Sequence, residues 1–200
     1  MRVMYVNKTL LGKAGVAVPT NRAEFLDACE KLKQAGYVPL QGNHALVGQQ
    51  MVYPWIAHMV ATAEDPAAVR AMINGAEEGI VDYFREPLEF VYDLAVNDYY
   101  RYKYVEEELG LFTDAGMDSA ARFFLGVKTV DDKQELVYDE GVTPFMTNSN
   151  AIQMYLEMAK EDYHSTIETE FILAPVGEKG GYAYLSPGVG LAVNKDSTQV

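Results

Sequence analysis

Short apolar runs and capped, helix-period segments alternate along this 200-residue chain, and that alternation limits its fold more than any other feature. Such a pattern favours a sheet with helices packed on its faces. Val3–Val6 reads as a strand, broken by Asn7-Lys8-Thr9, and Leu10–Ala14 as a helical turn closed by Gly15. Asn21 is an N-cap with Glu24 three residues on, the spacing of a capping box. Phe25, Ala28, Cys29 and Leu32 then recur at helical period, forming a buried stripe opposite Arg22, Glu30 and Lys33. Gly36 closes that helix, and Tyr37–Gln41 is the next strand.

Gly42–Gln50 reads as a polar loop before an apolar helix over Val52–Ala63. Asp65-Pro66 pairs an N-cap with an N1 proline and starts a helix running to Ile73. Glu86-Pro87 is taken to start another, with Leu88, Val91, Tyr92, Ala95 and Tyr99 on one face. Asp114–Phe124 is helical in pattern, Thr129–Tyr138 is charged and undecided, Val142–Thr147 is a strand, and Ala151–Lys160 is a helix with Ile152, Tyr155 and Leu156 inward. The chain closes as strand, Pro/Gly turn and second strand over Phe171–Asn194. With no repeat and no low-complexity linker, residues 1–200 form a single α/β domain.

Charge and composition exclude several functions. A net charge of −13, from 16 basic and 29 acidic residues, argues against a nucleic-acid partner and against anionic lipid. Cys29 is the only cysteine, so no internal disulfide and no cysteine metal site can form, and the residue reads as a small core side chain. No run approaches the ~20 apolar residues of a membrane span. Met1–Asn7 is too short and polar for a signal peptide. An abrupt strand at one end and an apolar one near the other suggest a piece of something longer. His44, His58 and His164 are scattered without metal-ligand spacing. Gly177–Gly181 lacks the phosphate-loop lysine pattern, Pro187–Gly190 does not open a helix, and Ser186-Pro187-Gly188 is no nucleophile elbow. No catalytic residue, metal or cofactor is therefore assigned, although acidic residues are too many for inspection to exclude a glycosidase pair.

Several segments together resemble the extracellular solute-binding proteins of ABC transporters, in the carbohydrate-binding group that includes maltose-binding protein. They are Val3–Leu11; Ala14-Gly15-Val16 with Pro19, Glu24-Phe25 and Leu32-Lys33; Gly141–Asn148; and Ala174–Gly177 with Gly180-Gly181 and Gly190–Ser197. They keep the family's order and approximate spacing over nearly the whole chain. Arg22 stands where the family usually has tryptophan, and Ser149 where it has glycine. The resemblance implies a periplasmic-binding-protein-like lobe with a mixed sheet flanked by helices. It implies the second lobe of a two-lobe protein, with hinge strands near residues 3–7 and 189–194. It further implies an importer component outside the cytoplasmic membrane, extracellular or periplasmic, lipid-anchored when full length. Its partners would be an oligosaccharide and ABC permease subunits, and it would not be an enzyme. The alternatives from other classes are a glycan-active hydrolase and a structural interaction domain.

Sugar recognition needs aromatic faces for C–H surfaces and amides for hydroxyls. The loops expected to face a cleft supply Asn43, Gln49, Gln50, Tyr53 and Trp55, then Asn148, Ser149 and Asn150, then Tyr184 and Ser186. Each has a plainer reading. Trp55 is equally a core residue of its helix, and Asn148–Asn150 equally cap the helix from Ala151. Tyr184 and Ser186 alternate along a strand. The Tyr99, Tyr100, Tyr102 and Tyr104 cluster reads as surface or packing.

Overall fold

Strand β1 (Arg2–Asn7) lies inside a four-stranded sheet of order β2-β5-β1-β6. The computed structural model describes residues 2–42, 47–75, 80–100 and 117–183. The other strands are β2 (Leu40–Gly42), β5 (Phe145–Ser149) and β6 (Thr169–Ile172), with β3 (Val127–Val130) and β4 (Lys133–Leu136) as a separate hairpin. β1 runs antiparallel to both β5 and β6, pairing Val6 with Phe145 and Asn7 with Thr169, while β2 runs parallel to β5. The sheet is mixed, as expected.

Alternation along β1 divides the core. Met4 and Val6 face one layer, and Val3 and Tyr5 the other. The first layer holds α1 (Lys8–Ala14), α2 (Arg22–Gln34), α3 (Val47–Thr62) and α5 (Ile80–Val96). It centres on Phe25, Leu32, Leu40, Trp55 and Phe145, with the Phe25 and Phe145 rings edge to face at 5.5 Å. Cys29 is buried there, and burial pushes its thiol pKa well up, as suits a core residue. The second layer packs α6 (Met117–Leu125) and α7 (Ile152–Asp162) on Tyr5 and Met146. Helix α4 (Pro66–Gly75) follows α3 and packs against it. Each of these large side chains contributes about 1.5–3 kcal/mol by leaving water.

The capping signals become real caps. Asn21 Oδ1 accepts from the Glu24 N–H at 3.0 Å, and Glu24 reaches back to the Thr20 N–H at 2.8 Å. Gly15 and Gly36 adopt φ of 66° and 90°, the left-handed geometry that ends a helix without strain. Asp65 accepts from the Ala67 and Ala68 N–H groups.

Other expectations are corrected. α5 begins at Ile80 and runs through Pro87 rather than starting there. Its buried stripe is Pro87, Phe90 and Leu94, so Leu88 and Tyr92 are exposed at 55% and 67%. Of the expected face, Val91 and Tyr99 do pack against the first core layer, while Ala95 is exposed like Leu88 and Tyr92. Pro87, read as a start signal, lies inside the helix with its ring buried. Val47–Gln50, expected as loop, is the first turn of α3. The strand expected from Tyr37 is confined to Leu40–Gly42, and the one expected from Val142 begins at Phe145. The undecided Thr129–Tyr138 segment is mostly hairpin. Its two turn residues, Asp131 and Asp132, have φ of 48° and 63°, the signature of a type I′ turn. Tyr99 and Tyr100 pack against the first core layer, while Tyr102 and Tyr104 lie outside the described residues.

Candidate functional site

The topology brings the ends of three strands to one edge of the sheet. β2 and β5 are parallel, and β6, antiparallel to β1 like β5, runs the same way. All three strands therefore end together, at the edge where β1 begins: Gly42 pairs with Thr147, and Arg2 with Ser149. The chain leaves this edge after Gly42, after Ser149 and in the turn after β6. Loops at the carboxyl ends of parallel strands are where open α/β sheets hold ligands.

The N-terminus of α2 joins the turn that follows β6, for the Arg22 N–H donates to the Gly177 carbonyl at 2.9 Å. The Arg22 guanidinium lies 4.6 Å from the centroid of the Trp55 ring. It is 3.2 Å from Glu86 of α5 and 3.9 Å from Glu178 of the turn. A tilted contact at 4.8 Å sets Phe90 against Trp55 as well. Trp55 is 2% exposed. Of its two sequence readings, the core one describes its place here, and its ring is not an open platform.

One turn further along α3, the His58 ring lies 4.7 Å from that of Tyr182. His58, Thr62, Glu178, Lys179 and Tyr182 line a cavity of about 300 Å³. Burial, then the nearby Arg22 charge, hold the His58 pKa below its ordinary value, while Glu178 and Glu86 pull it the other way. The turn is closed by bonds from Gly177 N–H to Gly180 O and from Tyr182 N–H to Ala174 O. Among the described residues no cluster of His, Cys, Asp and Glu is placed to hold a metal ion.

Of the other expected site residues, Gln49 and Gln50 fall in the first turn of α3, and Tyr53 is half-buried in the next. Asn148 and Ser149 end β5, and Asn150 is exposed just beyond it. The capping alternative for these residues meets a helix whose N-cap is Ala151, with no side-chain cap. Asn43, Tyr184 and Ser186 lie outside the described residues, as does Leu191 of the expected return strand. The cluster of Arg22, His58, Glu178 and Tyr182 was not foreseen. Its members are far apart in sequence, and the only cue was Arg22 standing where the resembling family has tryptophan.

Neither a family model nor a curated protein matches the sequence. Solved structures do. RafE in complex with raffinose matches at TM-score 0.59 and 13% identity, over 90% of this chain and 41% of its own. A sugar transporter from Bacillus licheniformis in complex with stachyose matches at TM-score 0.57 and 14% identity, over 90% and 42%. A protein from work on xylan utilization by Caldanaerobius polysaccharolyticus matches at TM-score 0.59 and 19% identity, over 90% and 39%. The chain thus has a fold found in sugar-binding proteins of ABC transporters, and it spans about two fifths of their length. The expected periplasmic-binding-protein-like architecture is borne out at the level of fold.

Proposed function

We propose that this chain is the ligand-binding second lobe of a solute-binding protein that delivers a carbohydrate to an ABC importer. The observation that carries the reading is the shared edge: the segments rich in amide and aromatic residues leave the sheet at the same ends of β2, β5 and β6. The fold match, confined to about 40% of each neighbour, supports a lobe rather than a whole binding protein. Asn43, Gln49, Gln50, Tyr53, Asn148, Ser149, Asn150, Tyr184 and Ser186 would supply polar and stacking contacts, with Trp55 supporting them from the core. The role is binding rather than catalysis. Glu178, which lines the cavity, and Glu86 both lie within ion-pair distance of Arg22.

In such a protein two lobes close on ligand about a hinge and the closed form meets the permease. β1 and the expected strand near residues 189–194 would be the two hinge crossings. The location would be extracellular or periplasmic, with a lipid anchor in the full-length protein. A single lobe presents half a site, and half a site loses the contacts that close a sugar away from water. Calorimetry of the 200-residue chain with raffinose or stachyose should therefore give binding weaker than micromolar, restored when a first lobe is fused. Micromolar binding by this chain alone would contradict the half-site reading. Turnover of a chromogenic glycoside would contradict the non-catalytic one.

A further inference from the structure

The turn from Gly177 to Tyr182 rests on α3 through two adjacent aromatic contacts. Arg22, tied to Gly177 and Glu178, covers Trp55, and Tyr182 covers His58. Among the described residues, His58 Nδ1 is buried and has no hydrogen-bond partner. We propose that this turn is a pH-gated clasp on α3, shut while the His58 imidazole is neutral and released when the ring takes a proton.

The charged and titratable groups facing His58 come from every element around it. Arg22 belongs to α2, Glu86 to α5, and Glu178, Lys179 and Tyr182 to the turn, while Thr62 of α3 donates to the His58 carbonyl. A proton added to the ring makes both ring nitrogens donors. Among the described residues no acceptor waits at Nδ1, and an unpaired buried donor on a charged ring is among the costlier arrangements in a protein. Three effects bear on the charged ring. Attraction to the Tyr182 face favours it, but only on the scale of a surface cation–π contact. Glu86 and Glu178 attract it too, yet both serve Arg22 and their side chains are 66% and 75% exposed, where solvent and salt screen them. Arg22 repels it. Burial and Arg22 prevail, so the folded-state pKa is lowered.

The sign follows from linkage. Above about pH 6.5 the ring is neutral whether or not the clasp is shut, and closure is unopposed. As the pH falls below that value, the open form takes up the proton first, and the contribution of the closed form is lost through the lower, closed-state pKa. The charged ring reaches water by leaving Tyr182 for the adjoining cavity. That separates the turn from α3 at its second contact.

Trp55 is the only tryptophan of the chain and sits one turn before His58, under Arg22, so its emission reports on the clasp. The test is a titration of the whole chain from about pH 7.5 to about pH 5, following Trp55 emission, the His58 ring resonances and exchange of the Gly177 and Tyr182 amides. All three should change together with one midpoint below about 6.5, while far-UV circular dichroism stays constant. His58→Gln and His58→Phe should both flatten the emission change, and His44→Gln and His164→Gln should leave it intact. The proposal is overturned if the transition survives in both His58 variants, or if wild type shows none. It is equally overturned if helical signal is lost at the same midpoint. Should the variants fail to fold, the wild-type His58 resonances decide alone: a midpoint different from that of Trp55 sinks the idea.

Discussion

The two edges of the sheet are built for opposite purposes. Where β2, β5 and β6 begin and β1 ends, the backbone is stitched shut. Asn7 is wholly buried; its Oδ1 accepts from the Leu10 N–H and caps α1, and its Nδ2 donates to the Glu140 carbonyl at 2.7 Å. Its own N–H donates to Pro144 O, and Phe145 N–H donates to Pro39 O. Buried Thr143 adds a bond to the Phe145 carbonyl at 3.1 Å. At the other edge β2 and β5 give way to segments rich in Asn, Gln and Ser. The first edge spends its polar groups on its own backbone, and the second carries in sequence the amides proposed above as ligand contacts.

The sharpest way to break this comparison is Gly141→Ala. Gly141 has φ of 78°, and a methyl there would stand 2.6 Å from Asn7 Nδ2 and 2.7 Å from the Phe124 carbonyl. Left-handed strain and an overpacked contact against backbone together should cost about 4 kcal/mol. Denaturant unfolding should show the midpoint falling with an unchanged slope. A loss under about 1 kcal/mol would mean that the stitched edge yields easily, and the contrast between the edges would collapse.

Asn7→Ala comes next. It removes the cap of α1, worth about 1 kcal/mol, and strands the Glu140 carbonyl, for a total of about 2–3 kcal/mol. Asn7→Ser keeps an uncharged N-cap acceptor for Leu10 but is too short to donate to Glu140, so its melting point should fall between wild type and the alanine variant. Equal losses for the two variants would assign the whole effect to the donor.

Much of this was legible in the sequence where the cause is local. The Asn21–Glu24 box, the Asp65 cap and the glycines at 15 and 36 act over three or four residues, and each sits where its pattern placed it. The β1 strand was legible as the apolar run Val3–Val6, but its division between two core layers was not. What failed depended on tertiary partners. The phase of α5 is set by Trp55 meeting Phe90, a contact 35 residues away in sequence that no periodicity reveals. Proline in the middle of a helix is a penalty that only packing can offset. The β3–β4 hairpin carried an Asp-Asp turn signal, but the charge of its strands hid it, because the hairpin leaves most of β4 in solvent. The candidate site was legible as a set of loops and not as contacts. Arg22 on Trp55 joins residues from α2 and α3, and only the fold brings them together.

The smallest expected change in stability is also the one that tests what the open edge is for. Asn150 is exposed just past β5, and its backbone carbonyl accepts from the Gln153 N–H at 3.3 Å, a bond that alanine keeps. Asn150 is exposed and has interactions of its own, so Asn150→Ala should shift unfolding by about 1 kcal/mol or less, below the loss expected at buried Asn7. If the amide serves a ligand, the same change in a two-lobe protein should weaken saccharide binding about tenfold, which is about 1.4 kcal/mol of affinity. Calorimetry beside thermal melting separates the two quantities. A stability loss matching that of Asn7→Ala would make this edge as structural as the other. Unchanged affinity with unchanged stability would remove Asn150 from the site and shift the polar contacts toward the residues of α3.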